Sequence, residues 1–267
     1  MVLVFWQEYM LSFQQIIYMT NSTSAFSVDE VFKASFAMAK KNWMKFLMLI
    51  GVMILIYVAY AAIAYILFVV VELPGFLNSI IQILLGVYAS IFTARGTLVI
   101  ARDQKLEIGE ILKLDAKTFL HALGASIIVY IVTVLGFILL IVPGIIASIM
   151  FGYCIYSIVD KKTEFIQSLE DSMHMTQGNK MKIFLYQLLL GLVGMVLAGI
   201  PIAAITVMAI ALGSGTHMEP MVIMAISVLL MVVIVLPIAV YLGMVGMSGQ
   251  AYMYLKTRAK TPVHLKK

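Results

Sequence analysis

Apolar positions run almost unbroken through three blocks of this chain, residues 46 to 94, 118 to 160 and 183 to 255. A membrane-crossing helix needs about 20 apolar residues, roughly 30 Å at 1.5 Å per residue. The first block holds two such spans, near 46 to 71 and 76 to 94, with Glu72, Leu73, Pro74 and Gly75 as the turn between them. A single helix from Phe119 to Val159 would be about 60 Å long, twice the hydrocarbon thickness, so the second block folds back. Pro143 stops the third span there and Gly144 permits the reversal, leaving a short fourth arm from Ile145 to Val159. The third block splits at Gly213 to Pro220, giving spans near 183 to 212 and 221 to 247. The pattern predicts an all-α integral membrane protein of six transmembrane helices arranged as three hairpins.

A cytoplasmic amphipathic helix is predicted ahead of each hairpin. Val28, Val31, Phe32 and Phe36 recur at helical steps before the first, and Ile108, Ile111, Leu112 and Phe119 before the second. Before the third, Phe165, Ile166, Leu169 and Met173 form an apolar stripe, and Gly178 is placed to stop the helix. Their charge and spacing predict helices that lie in the membrane interface. With an offset of 137 residues, Ser35 falls on Ser172, Asn42 on Asn179, Met44 on Met181 and Lys45 on Lys182, so the first and third units read as a duplication.

Charge sets the orientation. All 18 Lys and Arg residues fall in four clusters, 33 to 45, 95 to 117, 161 to 182 and 256 to 267, and none lies inside a block. Each block is therefore predicted to cross an even number of times and return, placing both termini in the cytoplasm and the protein in the plasma (inner) membrane as a multi-pass chain. A hydrophobic fraction of 63% with 12% charged residues agrees. The net charge of +5 then belongs to headgroup contact and not to nucleic acid. Residues 1 to 25 read as an N-terminal extension, disordered or interfacial, with Met19 as an alternative start. Residues 26 to 255 read as one six-span domain, and 256 to 267 as a basic cytoplasmic tail.

Chemistry is sparse. No Asp, Glu, Lys or Arg lies inside the predicted spans, which argues against an ion-coupled carrier. Asn78, Gln82, Thr93, Ser126, Thr133, Ser148, Ser157, Gln187 and Thr206 are read as interhelical hydrogen-bonding groups. His121, His174, His217 and His264 show no ligand spacing, and no nucleophile constellation or phosphate loop is present. His217 and Glu219 form the only outer-loop pair, read as solvated. Cys154, alone, reads as a packing residue. Gly86, Ser90 and Ala94, then Gly191, Gly194 and Gly199, then Ala239, Gly243, Gly246 and Gln250 mark expected close-packing seams.

Leu140, Ile141, Val142, Pro143, Gly144, Ile145 and Ile146, then Val159 and Asp160, then Ser168, Leu169, Ser172, Gly178 and Asn179 carry a family resemblance. They resemble the signature of bacterial and archaeal integral membrane proteins of unknown function, a group similar to the membrane domain of some glycerophosphoryl diester phosphodiesterases. Ser168 departs from the pattern, where Ala is usual. The resemblance implies six spans and assigns no substrate or catalytic residue, and the soluble catalytic barrel of those phosphodiesterases is missing here. Asp160 is expected to pair with Lys161 or Lys162, or to cap the helix at Glu164.

The sequence therefore predicts a non-enzymatic membrane protein acting in envelope or lipid homeostasis or as a partner of other membrane proteins. The alternative is a transporter or permease component for an amphipathic, lipid-like solute, and a membrane enzyme ranks third. Membrane lipids and other membrane proteins are the expected partners, and no cofactor, metal or nucleic acid is expected.

Overall fold

Ser27 opens the first helix, α1 (Val28–Lys41), with a reciprocal cap: its hydroxyl accepts the Glu30 amide at 3.1 Å while the Glu30 carboxylate accepts the Ser27 amide. The computed structural model describes residues 25–72, 74–215 and 219–260, and every regular element among them is helical. After α1 come α2 (Trp43–Tyr65), α3 (Gly75–Ala101), α4 (Ile108–Leu112), α5 (Ala116–Leu139) and α6 (Ile141–Met150). Then follow α7 (Cys154–Lys161), α8 (Phe165–Thr176), α9 (Lys180–Gly215), α10 (Pro220–Leu230) and α11 (Leu236–Lys260). Among the described residues six stretches are long and apolar enough to cross a membrane: span 1 (Trp43–Val70), span 2 (Gly75–Ala101), span 3 (Ala116–Leu139), span 4 (Ile141–Lys161), span 5 (Lys180–Ser214) and span 6 (Pro220–Arg258). This is a multi-pass membrane protein. The expected N-terminal extension, His217 of the outer-loop pair and the tail with His264 lie outside the described residues, apart from residue 25 and the α11 end.

Helices overrun the apolar blocks at the basic side. Span 2 continues beyond Arg95 and span 6 runs on to Arg258, so Lys256 and Arg258 sit on a helix and not in a tail. Wide π turns interrupt two spans, at Ile66–Val70 and Met231–Val235. The second precedes Pro237, whose missing N–H leaves the turn before it short of a helical partner. Pro201 lies inside α9.

Two turn expectations are corrected. The reversal between spans 3 and 4 is made by Leu140 alone, at φ −165° and ψ 155°. Pro143 and Gly144 lie within the first turns of α6, where a proline's absent N–H has no helical partner to lose. Pro143 thus starts a helix instead of stopping one. Gly144 gives room: a Cβ there would meet the Phe137 ring at 2.5 Å, and a Cβ on Gly136 would meet the Gly144 backbone at 2.9 Å. The helix before the second hairpin, α4, is a single turn, and Phe119 belongs to α5.

Buried side chains concentrate toward one end. They include Phe46 and Leu49 in span 1, Ile91, Leu98 and Ile100 in span 2, Ala122 and Ala125 in span 3, and Tyr153, Cys154 and Ile158 in span 4. Ile183 and Tyr186 of span 5 and Met253 and Tyr254 of span 6 complete this core, onto which α1 lays Val31, Ser35 and Ala39. At the far end Val69, Val70, Phe76, Leu139, Leu140 and Met221 are exposed, a surface that hydrocarbon covers without cost. The packed end is the basic one. Lys41 reaches Asp103, Arg102 and Arg258 reach Asp160, and Lys256 reaches Glu30, so contacts between their segments join all four basic clusters in one ring.

Most of the expected glycine seams are not seams. A Cβ on Gly86, Gly191, Gly199 or Gly243 would touch nothing within 4 Å, so no neighbouring helix approaches closely there. Gly194 and Gly246 do face neighbouring helices, with Leu242 and Leu190 at 3.5 Å. The tightest approach in the last hairpin is at Gly249, over which the Tyr186 ring lies with its hydroxyl donating to the Val245 carbonyl at 3.1 Å.

Candidate functional site: the basic-end junction and two side recesses

Asp160 ends span 4 where spans 2 and 6 also end. Arg102 Nη2 donates to its Oδ1 at 2.5 Å, Arg258 Nη1 donates to its Oδ2, and the Tyr254 hydroxyl donates to the same Oδ2 at 2.9 Å. The carboxylate side chain is 4% exposed. A buried carboxylate is tolerable only with such partners, and here each oxygen accepts from one guanidinium, Oδ2 from the Tyr254 hydroxyl as well. The arrangement is a clamp tying the even-numbered spans. The expected pairing with Lys161 or Lys162 is corrected. Lys161 bonds Asp171 at 2.9 Å, and Lys162 is turned away by a left-handed backbone (φ 59°) toward the Thr118 hydroxyl. A signal for the true partners was present: the chain has only three arginines, and each spends its fork on a protein acceptor, Arg95 on the carbonyls of Lys113 and Ile111.

Below this clamp, span 4 breaks at residues 151–153, between α6 and α7. Ser172 of α8 repairs the break. Its hydroxyl accepts the Tyr153 amide at 3.1 Å and donates to the Met150 carbonyl at 2.6 Å, satisfying backbone groups that the break would strand in an apolar interior. Asp171, on the same helix, accepts from Ser157 at 2.6 Å. The buried face of α8 is therefore Ser168, Leu169, Asp171, Ser172, Met175 and Thr176, and Ile166 of the expected apolar stripe is 57% exposed. Leu169 of the stripe is buried and Phe165 packs on the same core, but the inward face is rotated toward Ser168 and Ser172 because hydroxyls are needed at the broken span.

Gly178 turns the chain at φ 76°, and the Asn179 carboxamide oxygen then accepts the Ala25 amide at 3.0 Å, fastening the start of the first unit to the third. The structure thus gathers Asp160, Ser172, Gly178 and Asn179 at the basic end and leaves Pro143 and Gly144 at the far end of span 4. The four residue pairs of the 137-residue offset share environments. Ser35 and Ser172 are fully buried, Asn42 and Asn179 are buried, Met44 and Met181 are exposed. Lys45 and Lys182 each donate to a backbone carbonyl, of Gln104 at 3.1 Å and of Phe26 at 3.2 Å.

Two recesses open sideways. The first, about 460 Å³, lies between spans 1, 2 and 6 and is lined by Leu49, Ile50, Met53, Tyr57, Thr93 and Met247, among others. The second, about 370 Å³, lies between spans 3 and 4 beside the break and holds Ser126, Thr133 and Ser148. The Thr133 hydroxyl is buried with no hydrogen-bond partner. Of the other polar groups expected to bond between helices, Asn78 does so with the Tyr60 hydroxyl and Ser157 with Asp171, whereas Ser148 and Thr206 bond back to carbonyls of their own helices. Cys154 is buried in the core, and His121 stacks on Phe165. Among the described residues no group of three His, Cys, Asp or Glu side chains is placed to hold a metal.

Neither a curated protein nor a solved structure matches this chain. A family model does match, over residues 106–254, which takes in Asp160, Ser172, Gly178, Asn179 and Tyr254 and leaves both clamping arginines outside. That match covers more than half of the sequence, and the chain belongs to the family described as a domain of unknown function (DUF7847).

Proposed function

We propose that the chain is a non-enzymatic membrane protein that works through its lipid-facing surface, in lipid or envelope homeostasis or in holding other membrane proteins. The observation that carries this reading is the division of labour between polar and apolar groups. The carboxylates of Asp160 and Asp171 and the hydroxyl of Ser172 are consumed in holding helices together, while both recesses open toward hydrocarbon through exposed side chains such as Ile54, Val58 and Tyr130. The resemblance to the membrane domain of glycerophosphoryl diester phosphodiesterases supports a lipid-linked role. Native mass spectrometry of the detergent-purified protein tests it: bound lipid should survive delipidating washes, and a lipid-free spectrum at mild activation overturns the reading.

A second reading, a permease for an amphipathic solute, draws on the broken span 4 and the second recess, since discontinuous helices beside polar groups are a feature of transport sites. Flux of a fluorescent amphiphile across proteoliposomes, above that of protein-free vesicles, would favour it over the first.

A further inference from the structure

The first recess has a charged head. Its lining on span 1 runs from Leu49 through Met53, Tyr57 and Val58 to Ala61, about 18 Å at 1.5 Å per residue, close to the depth of one leaflet in a hydrocarbon core of roughly 30 Å. One helical turn before Leu49, on the same face, stands half-buried Lys45. Its ammonium donates to the Gln104 carbonyl just beyond the end of span 2, which holds it over the slot between the two spans. An ammonium has three donors, and no carboxylate lies within ion-pair distance of Lys45 among the described residues. Lys40 beside it has no carboxylate partner among the described residues either, while Lys41 is neutralised by Asp103 at 2.8 Å. Half-exposed Trp43 stands at the same level, where aromatic rings mark the headgroup region.

We propose that this slot binds one hydrocarbon chain of an anionic phospholipid from the leaflet at the basic end, with the lipid phosphate against Lys45. The proposal rests on the lipid-facing reading above and adds a site, a headgroup charge and a residue to it. The slot is apolar, leaflet-deep and open-sided, and among the described residues no carboxylate within ion-pair distance takes the donors of the ammonium one turn above it, the nearby Asp103 being already paired with Lys41. A zwitterionic lipid fits the same slot but gains less from the ammonium.

Native mass spectrometry from nanodiscs of equal phosphatidylglycerol and phosphatidylcholine with identical chains tests it. The wild type should retain the anionic lipid about fivefold over the zwitterionic one, the ratio that one basic side chain near the surface supports. Lys45→Gln, which keeps a donor for Gln104, should lose that preference while holding as much total lipid, and Lys45→Arg should keep it. Ala61→Trp, which fills the slot, should release one lipid regardless of headgroup. Retention without headgroup preference, or a preference unchanged in Lys45→Gln, overturns this site but leaves the broader reading standing. Absence of any retained lipid in the wild type overturns both. Melting temperatures of the variants within a few degrees of the wild type establish that binding, and not folding, has changed.

Discussion

The Ser172 hydroxyl stands in for a missing helical turn by accepting the Tyr153 amide across the break in span 4. The same hydroxyl donates to the Met150 carbonyl, so one side chain joins α6 to α7 and fastens α8 to both. Ser168, equally buried on α8, only bonds back to the Phe165 carbonyl within its own helix.

Ser172→Ala should therefore cost about 1 to 3 kcal/mol, because it strands a buried N–H and a buried C=O, whereas Ser168→Ala should be nearly neutral. Thermal melting in detergent separates the two. Equal midpoints would show that the break is satisfied by other means.

Removing Asp160 leaves two arginines facing each other, and removing one arginine leaves a paired carboxylate. Asp160→Asn is expected to destabilise by on the order of 3 kcal/mol, since a nearly buried acceptor of two guanidinium groups is lost. Arg102→Gln and Arg258→Gln singly should cost about 1 kcal/mol each, both being a third or more exposed. Denaturant titration gives the order. An arginine variant as damaging as Asp160→Asn would contradict the clamp.

The architecture was legible because it rests on quantities a sequence carries directly. Block length fixes the number of crossings, and the four basic clusters fix which ends meet. Ser35 and Ser172, with Asn42 and Asn179, are matched by the 137-residue offset in sequence and share their burial in the structure. What was not legible depends on partners distant in sequence. Asp160 has Lys161 and Lys162 beside it, yet its bonds go to Arg102 and Arg258, 58 and 98 residues away. The inward face of α8 holds Leu169 as its spacing predicts, but its polar half was not legible, for a related reason. Amphipathic spacing assumes that apolar side chains seek the interior, and it has no way to register that a neighbouring helix is broken and needs hydroxyls. Most of the glycine seams failed similarly, because Gly86 and Gly191 look in sequence like Gly136 and Gly249 yet no neighbouring helix approaches them within 4 Å.

That contrast is testable. Gly136→Ala would place a methyl group 2.9 Å from the Gly144 backbone, which cannot move without shifting span 4, whereas Gly86→Ala meets nothing within 4 Å. The first should lower the melting temperature by several degrees. The second should leave it unchanged or raise it slightly, because Ala favours helix over Gly by roughly 0.8 to 1 kcal/mol. Similar losses in both would mean that span 3 does not approach span 4 at Gly136.

Docking of α1 on span 6 should weaken in acid. The Tyr252 hydroxyl at 2.6 Å and Lys256 at 3.0 Å hold the Glu30 carboxyl down from 4.5 to about 2, with the Ser27 amide helping. A carboxylate lowered on folding stabilises the fold above its unfolded value, and that contribution disappears as pH falls from about 4.5 toward 2. The melting gap between wild type and Glu30→Gln should be open at pH 6 and close by pH 2. A gap independent of pH would show that Glu30 acts through shape alone.

The charge asymmetry between the two ends predicts an orientation that labelling can check. Segments that carry the four basic clusters meet at one end, while the sequence linking spans at the other, 71 to 75, 140 and 213 to 220, carries no Lys or Arg, and chains insert so that such basic ends stay inside. Lys113, in the loop after α4, belongs to the basic end, and Ser214, at the last turn of span 5, belongs to the far one. Cys154 is buried and should stay silent toward a bulky maleimide, so single cysteines can be read against the native background. In intact cells, Ser214→Cys should react with a membrane-impermeant maleimide and Lys113→Cys should react only after permeabilisation. The reverse pattern would turn the bundle over and place the proposed lipid site in the opposite leaflet, and labelling of both from outside would mean that the chain does not cross three times, or any odd number of times, between them.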